Sequence, residues 1–314
     1  MDAHAPDHYV IGIDIGGTQT RCALARADRP DHIIQYRVLP TPRGSVTEFL
    51  NAIGDSINAC MAAEGIRVGL LQAIGCCACG ITDSERGIVV DAHNIEGWTD
   101  IPIAQLLTDR FGAHTEVEND VNAAALAESL LGAGRACHSM VFFTVSTGVA
   151  AGIVIGGELL RGAHQAAGEL GFFLPDPRLI DQDWMPSGCL ETTSAGVGLA
   201  QAWAALCGGS SQADRAIEVF AAARDGHKDA QRLVSRAADY LAQAAVAVGN
   251  LIDPDRIVLG GSIARHQPVI IDRMREVTAR TLPFPPDIVH GTLGDKAPLV
   301  GVLIMAAKRA RELW

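Results

Sequence analysis

Two segments of the sequence share one plan, and this internal similarity constrains the fold more than any other feature. Residues 10–24 read VIGIDIGGTQTRCAL, and residues 140–155 read MVFFTVSTGVAAGIVI. Each has an apolar strand, a turn containing Thr and Gly, and an apolar return strand. Duplication of a strand–strand–strand–helix unit explains the similarity and predicts an α/β fold with two lobes and a cleft between them.

The length supports the same conclusion. The chain has 314 residues, about twice the length of a typical domain of about 150 residues, so two lobes with separate cores are expected. The apolar spacing predicts helices over 45–63, 230–251 and 300–313, and buried strands over 70–77 and 257–259. No linker rich in Pro, Gly or Ser separates the halves, so the lobes are expected to be closely joined.

Charge and hydropathy exclude several classes of protein. The net charge is -11 with a pI near 5.3, and no Lys/Arg run gives a basic face, so nucleic acid is not an expected partner. The N-terminal residues lack the basic start and apolar run of a signal peptide. Residues 140–157 carry no charge, but four glycines among them favour two buried strands over a membrane span. We therefore expect a cytoplasmic protein without a membrane partner.

Eight cysteines suit a reducing compartment, where free thiols are the simple interpretation. The cluster of Cys76, Cys77 and Cys79 resembles a metal site only at first sight. Neighbouring strand residues point to opposite faces, and no second Cys/His pair stands at zinc spacing. Buried small side chains are the better interpretation.

Four motifs carry chemistry when they are taken together. The first, Asp14 followed by Gly16, Gly17 and Thr18, ends a strand. The glycines let backbone amides close on a phosphate, Thr18 adds a hydroxyl donor, and Asp14 can hold Mg²⁺ directly or through water. Taken alone, the motif is also compatible with an ordinary Gly-Gly hairpin.

The second motif is the matching turn of the other half, with Thr147 and Gly148, which again suits phosphate oxygens. The third is Gly260 and Gly261 after a strand, where an adenine-ribose can lie against the backbone. A plain hairpin and a simple helix start are the alternatives for these two motifs.

The fourth motif, Glu118-Asn119-Asp120-Val121-Asn122, opens an apolar helix. Capping explains one such polar residue, but four polar residues in five exceed that need. An Asp at this position can accept a proton from a bound hydroxyl, and its Asn neighbour can anchor a second hydroxyl. Phosphate loops, a metal and one base are the requirements of phosphoryl transfer. The sequence has no Walker motif and no G-x-G-x-x-G.

In this order the motifs resemble those of the ROK family of sugar kinases. The resemblance also covers Gly168-Glu169-Leu170-Gly171, Gly188-Cys189-Leu190-Glu191 and the segment NLIDPDRIVLGGS. It implies a two-lobed, actin-like ATPase fold, a ribonuclease H-like unit duplicated around a central cleft. The expected lobes are residues 1–117, completed by the C-terminal helix 300–314, and residues 118–299. ATP with Mg²⁺ and a hexose or N-acetylhexosamine are the implied ligands, and a homodimer is common in such proteins.

The resemblance also implies roles for individual residues. Asp120 matches the base that activates the sugar 6-hydroxyl. The positions that hold the sugar hydroxyls match Asn94, Asn119, Glu169 and Glu191. The phosphate contacts match Gly16, Gly17, Thr18, Thr147 and Gly148, and the nucleotide site matches Gly260 and Gly261.

Several positions depart from the family pattern. Many ROK kinases carry a zinc site of one His and three Cys, but Phe172, Gln182 and Trp184 stand at three of those positions and only Cys189 remains. One thiolate cannot hold a structural zinc, so no zinc is expected. Phe172 also removes an expected hydrogen bond to the sugar. Ala150 and Ala151 replace frequent glycines, and Gln19 replaces a frequent Lys.

Three other functions compete with that of a kinase. A catalytically degenerate sugar-binding or regulatory ROK protein is supported by Phe172, Ala150 and the lost zinc ligands. A transcriptional regulator needs an N-terminal helix-turn-helix, and only about eight residues precede the first strand. A glycosidase using Glu169 and Glu191 as paired carboxylates leaves the glycine turns unexplained.

Overall fold

The computed structural model describes residues 8–42, 45–92, 95–207 and 215–313. The strands are β1 (Tyr9–Ile15), β2 (Gln19–Arg26), β3 (Arg29–Pro40), β4 (Leu71–Ala78), β5 (Ile81–Asp83), β6 (Ile88–Asp91), β7 (Thr99–Ile101), β8 (His114–Asn119), β9 (Ser139–Val145), β10 (Val149–Ile155), β11 (Glu158–Leu159), β12 (Arg256–Gly260) and β13 (Asp287–His290). The helices are α1 (Val46–Ala63), α2 (Ile103–Phe111), α3 (Asp120–Leu130), α4 (Cys189–Ser194), α5 (Gly196–Cys207), α6 (Arg215–Arg224), α7 (Lys228–Ile252), α8 (Ser262–His266), α9 (Pro268–Thr281) and α10 (Ala297–Glu312).

The chain forms two compact units. The first comprises Met1–Ala127, Gly162–Ala166 and Asp295–Trp314, and the second comprises Glu128–Arg161 and Ala167–Gly294. In the first unit a five-stranded sheet has the order β3-β2-β1-β4-β8. Its first three strands form an antiparallel meander, whereas β4 and β8 run parallel to β1. A small antiparallel sheet, β5-β6-β7, also belongs to this unit.

Strand alternation gives the first sheet two buried faces, because successive side chains point to opposite sides. Ile11, Ile13 and Ile15 pack with α1 and α2, and the opposite face packs against α10. Glycines allow this helix to approach the sheet closely. A Cβ added at Gly75 would lie 2.0 Å from the backbone oxygen of Val302, so a larger residue there would displace α10.

The sheet of the second unit repeats the strand order of the first. Its order is β11-β10-β9-β12-β13, in which β10 is antiparallel to β9 and β12 runs parallel to β9 and β13. β9 to β11 therefore correspond to β1 to β3, and β12 and β13 correspond to β4 and β8. The expectation of a duplicated α/β fold is confirmed. The long helix α7 buries Ala237, Leu241 and Ala244 in the core of this unit.

The domain boundary expected after residue 117 falls inside β8. In the structure the first compact unit continues to Ala127, and the second begins at Glu128. The reason is that β8 pairs along its length with β4, and a Cβ on Gly301 of α10 would lie 1.9 Å from the oxygen of Ala123. Residues 118–127 therefore pack with the first sheet. The next residue, Glu128, accepts hydrogen bonds from the backbone N–H groups of Ala133 and Leu293 in the second unit.

Two expectations about the surface and the thiols can be compared with this structure. None of the helices in the described part of the chain combines the length and the apolar character that crossing a bilayer requires. Cys76 and Cys77 are fully buried, and they lie in the cores on opposite faces of the first sheet. The interpretation as buried strand residues is confirmed for these two cysteines, whereas Cys79 follows the end of β4 and is half-buried.

Candidate active site

The predicted site residues fall into two groups, one in each unit. In the first unit, the carboxyl ends of β1, β4 and β8 reach the same edge of the sheet, because these strands are parallel. The register sets Asp14 opposite Cys77 and Cys77 opposite Glu118. Ligands of open α/β sheets bind at this edge. The Gly16–Thr18 turn follows β1 directly, and Asp120 follows β8.

Asp14 is buried, with only 4% of its surface exposed. The Nη1 atom of Arg21 donates to its Oδ2 at 2.7 Å, and the Sγ atom of Cys77 donates to its Oδ1 at 3.6 Å. Burial raises the pKa of Asp14, against the lowering effect of the Arg21 guanidinium. Each carboxylate oxygen accepts one hydrogen bond from the protein and keeps lone pairs for a metal or for a metal-bound water.

The electrostatics of Cys77 relate Asp120 to Asp14. Burial raises the pKa of the Cys77 thiol well above its ordinary value, and the negative charges of Asp14 and Asp120 raise it further. Asp14 contacts this thiol directly, and Asp120 follows Asn119, whose partner in β4 is Ala78, the residue after Cys77. The strand register therefore brings Asp120 to the sheet edge that carries Asp14.

Asn119, not Asp120, caps α3. The Oδ1 atom of Asn119 accepts from the backbone N–H groups of Val121 (2.8 Å) and Asn122 (3.2 Å), and its Nδ2 donates to the carbonyl of Gly80 (2.9 Å). Asp120 is the first helical residue, and its Oδ1 accepts from the N–H of Val121 at 2.9 Å. Capping thus explains the Asn of this motif but not the Asp.

Glu118 fixes the start of α3 from the preceding strand. It is 1% exposed, and its Oε1 accepts from Ser84 Oγ (3.1 Å), Asn122 Nδ2 (3.0 Å) and the backbone N–H of Asn119 (3.0 Å). Hydrogen bonds to a charged acceptor are about twice as strong as neutral ones. Glu118 therefore orients the residues on both sides of Asp120.

In the second unit, the turn between β9 and β10 is supported by the start of α5. The N–H groups of Gly196 and Val197 donate to the carbonyls of Ser146 (2.8 Å) and Thr147 (3.3 Å). Glu191, in the first turn of α4, lies against the same turn. Its Oε2 accepts from the N–H of Val149 at 3.0 Å, so the structure brings Glu191 together with Thr147 and Gly148.

Glu169 belongs to a segment that runs beside β10. The N–H of Ala151 donates to the carbonyl of Gly168 at 2.8 Å, and a Cβ at Gly168 would lie 1.9 Å from the oxygen of Ala151. The backbone of Gly171 is similarly close to Glu191, because a Cβ there would be 3.3 Å from Cβ of Glu191. Glu169 is exposed, and its segment packs between β10 and the start of α4.

Gly260 and Gly261 stand between β12 and α8. Gly261 has a positive φ of 86°, and a Cβ on it would lie 2.3 Å from the oxygen of Val145 at the end of β9. A Cβ on Gly260 would lie 2.1 Å from Cζ of Phe142. Both positions require glycine for steric reasons, and Gly261 lies next to the strand that leads into the Ser146–Gly148 turn.

One predicted residue, Asn94, lies outside the described residues. Phe172, Trp184 and Cys189 stand at positions that match zinc ligands in many ROK kinases. Phe172 is 42% exposed, and Cys189 is buried at the start of α4. The Nε1 atom of Trp184 donates to the carbonyl of Leu179 at 2.8 Å. Across residues 8–313, wherever the structure describes them, no group of three or more His, Cys, Asp or Glu is arranged to hold a metal. That the protein holds no zinc stays a prediction.

Sequence analysis missed Arg21 as a site residue. A signal for it exists, because a hairpin whose turn sets Ile15 opposite Thr20 must set Asp14 opposite position 21. An arginine that faces a buried aspartate across a hairpin can then be expected to pair with it. Arg21 brings a cation, 30% exposed in its side chain, to the edge that carries Asp14.

Two units with one shared strand order, each with a glycine-containing turn between its first two strands, have the two-domain fold of actin-like ATPases. The ROK family model matches residues 10–309. The chain therefore belongs to the ROK family.

Comparison with individual proteins gives the same family. The bifunctional enzyme NanE/NanK of Brucella suis is 35% identical over 309 residues, which cover 97% of this chain and 54% of that enzyme. The chain thus spans about half the length of this relative. The ROK hexokinase of Thermus thermophilus has a TM-score of 0.83 at 29% identity, covering 97% of this chain and 99% of the hexokinase. A ROK family glucokinase of Streptomyces griseus, solved with glucose and AMPPNP, has a TM-score of 0.74 at 28% identity, with 96% and 99% covered.

Proposed function

We propose that the protein is an ATP-dependent sugar kinase that phosphorylates a hexose or an N-acetylhexosamine at its 6-hydroxyl. The observation that carries this proposal is the position of Asp120. It follows β8 at the sheet edge where the Gly16–Thr18 turn follows β1, because β1, β4 and β8 are parallel and in register. A carboxylate beside an anion-binding turn is the arrangement that phosphoryl transfer to an alcohol needs.

Asp120 is proposed to be the general base. Asn119 makes the two hydrogen bonds that cap the helix, and Glu118 fixes the backbone on the N-terminal side of Asp120. A base held in this way accepts the proton of the sugar hydroxyl as that oxygen attacks the γ-phosphate. Asn119 is proposed to bind a second hydroxyl, because its amide nitrogen carries two hydrogens and Gly80 uses one.

Several residues of the second unit are proposed as further ligands on the basis of the family resemblance. Glu191 and Glu169 are candidate ligands of the sugar hydroxyls, and a carboxylate that accepts from Val149 retains lone pairs for a hydroxyl. Thr147 and Gly148 are candidate phosphate contacts, with Gly260 and Gly261 near the nucleoside. The glucokinase solved with glucose and AMPPNP supports this substrate pair. Asn94 stays a candidate sugar ligand from the family resemblance.

Mg²⁺ is proposed to arrive bound to the phosphates of ATP, where it neutralises charge on the transferring group. The donor set fits an indirect role for Asp14, since Arg21 and Cys77 each use one lone pair of its oxygens and leave others for a metal-bound water. Asp14 would then hold the metal through water and would orient Arg21 near the phosphates. The family resemblance further supports a cytoplasmic homodimer, for which sedimentation velocity is the test.

The Asp120→Asn variant tests the proposed base. Asparagine keeps the size and polarity of the side chain but cannot accept the proton, so kcat should fall by at least ~10²-fold while sugar affinity changes little. Asp109→Asn is the matched control, because Asp109 is an exposed residue of α2 that contacts Gln105. Steady-state kinetics with a coupled ADP assay give kcat, and calorimetric titration gives the affinity for the sugar.

A panel of sugars with ATP and Mg²⁺ tests the activity itself. Glucose, mannose, allose, fructose and the N-acetylhexosamines should be included, since the sequence does not select one of them. Turnover of one or more sugars supports the kinase. Sugar binding without ADP formation would refute the kinase and support the degenerate sugar-binding protein, and full activity of Asp120→Asn would remove Asp120 from its role.

A further inference from the structure

The Gly16–Thr18 turn is held by a residue outside its motif. Thr41 follows β3 and is 6% exposed. Its backbone N–H donates to the carbonyl of Thr18 at 3.0 Å, and its hydroxyl donates to the carbonyl of Gly16 at 2.7 Å. The pairing of β2 with β3 sets Gln19 opposite Pro40, which brings the next residue of β3 beside the turn.

A second hydroxyl extends this contact. Thr20 is fully buried, and its Oγ1 lies 2.9 Å from Oγ1 of Thr41. A hydroxyl has one proton to donate, and that of Thr41 goes to the Gly16 carbonyl, which can only accept. Thr20 is therefore the donor to Thr41. The result is a directed chain of hydrogen bonds from Thr20 through Thr41 to Gly16, in which each bond polarises the next.

These contacts fix the direction of two backbone amides. In a trans peptide, the carbonyl of one residue and the N–H of the next point in opposite directions. The carbonyls of Gly16 and Thr18 point to Thr41, so the N–H groups of Gly17 and Gln19 point away from it. Thr18 and Gln19 are exposed, so these amides belong to a part of the turn that a ligand can reach.

We propose that Thr41 is a positioning residue that orients the Gly17 and Gln19 amides toward the phosphate oxygens of the nucleotide. The inference rests on the proposed kinase function. Thr41 acts through the carbonyls of Gly16 and Thr18 and does not itself touch the ligand. Donors that are oriented before the ligand arrives need no reorganisation when it binds. Without the hydroxyl, the part-buried Gly16 carbonyl loses this partner, and its peptide plane is less firmly held.

The test compares Thr41→Val with Thr41→Ser. Valine keeps the shape of threonine and removes the hydroxyl, whereas serine keeps the hydroxyl and removes a methyl group. We expect Thr41→Val to raise the Kd for Mg·AMPPNP, measured by calorimetry, at least about tenfold, or about 1.4 kcal/mol. The KM for ATP should rise in parallel, the KM for the sugar should stay near the wild-type value, and Thr41→Ser should bind AMPPNP like the wild type.

A variant of Thr20, the residue that donates to Thr41, keeps the test decisive if Thr41→Val does not fold. Thr20→Val leaves the bond from Thr41 to Gly16 in place, so it should weaken AMPPNP binding in the same direction by a smaller factor. Unchanged affinity in Thr20→Val, when Thr41→Val is unfolded, would overturn the inference. So would unchanged affinity in Thr41→Val, or a rise in the sugar KM equal to that for ATP.

The wild-type measurements separate this inference from the function on which it rests. A wild-type protein that binds AMPPNP and turns over ATP, together with an unaffected Thr41→Val, would refute the role of Thr41 and leave the kinase intact. A wild-type protein that binds no AMPPNP would overturn both.

Discussion

Replacing Gly148 with alanine tests the contact between the Ser146–Gly148 turn and Glu191. The new Cβ would lie 2.3 Å from Oε2 and 3.0 Å from Cδ of that side chain. Real Cβ atoms rarely make contacts shorter than 3.4 Å, so the carboxylate has to withdraw by about 1 Å. The same Oε2 accepts the N–H of Val149 at 3.0 Å, and this withdrawal takes it beyond hydrogen-bonding distance.

The size of the effect follows from the bond that is lost. A hydrogen bond to a charged group contributes about 1.5–3 kcal/mol. If the turn and Glu191 both act in the transition state, a loss of about 2 kcal/mol lowers kcat/KM about 30-fold. The free energy of unfolding should fall by a similar amount, since the Val149 amide loses its acceptor in the folded protein.

The assay is kcat/KM for sugar and ATP in the wild type, Gly148→Ala and the control Gly69→Ala, at which a Cβ meets nothing within 4 Å. A Glu191→Asp background shortens the acidic side chain and makes room for the new methyl group. Gly148→Ala should therefore lower kcat/KM by a smaller factor in the Glu191→Asp background than in the wild type, and a double-mutant cycle measures this difference. Wild-type kcat/KM in Gly148→Ala, or strictly additive effects in the cycle, would refute this reasoning.

Two further predictions concern the segment before α4. The guanidinium of Arg178 holds the pKa of Asp176 below its usual value of 3.8, with help from the Arg178 amide and from Tyr240. A lowered pKa stabilises the fold above the unfolded value and loses that effect on acidification. The stability deficit of Asp176→Asn in urea should therefore be largest at neutral pH and shrink below about pH 4; a deficit independent of pH would contradict this. Elemental analysis of the pure protein should find no stoichiometric zinc, and one zinc per chain would overturn the interpretation of Phe172, Gln182 and Trp184.

The sequence allowed the prediction of the duplicated sheets because their first two strands are buried and their turns are marked by glycine. A third strand was expected in each unit, but the position of β3 was not predicted, for the opposite reason. It is an edge strand of 12 residues, and its side chains are half-buried or exposed, so it has no buried face and no clear period of two. The three-residue strands β5 and β7 are too short to leave a periodic signal at all.

The residues of the candidate site likewise divide into those that the sequence marks and those that only the structure reveals. Gly16, Gly148 and Gly261 could be singled out because glycine at a strand end signals a backbone that something approaches closely. Thr41 could not, since its role depends on how β3 registers against β2, and this pairing is a tertiary property. Glu191 was assigned to the sugar from the resemblance alone, and its contact with the Val149 amide becomes visible only in three dimensions.

The position of α10 has a consequence for synthesis on the ribosome. The first sheet needs this helix to cover one face, and Leu299, Val302 and Leu303 supply much of that cover, yet α10 follows β8 by well over a hundred residues. Until translation reaches residue 312, the nascent first unit presents an apolar sheet face without its cover. A chaperone that binds extended apolar chain has that whole interval in which to act, and the first unit to be made is the last to be completed.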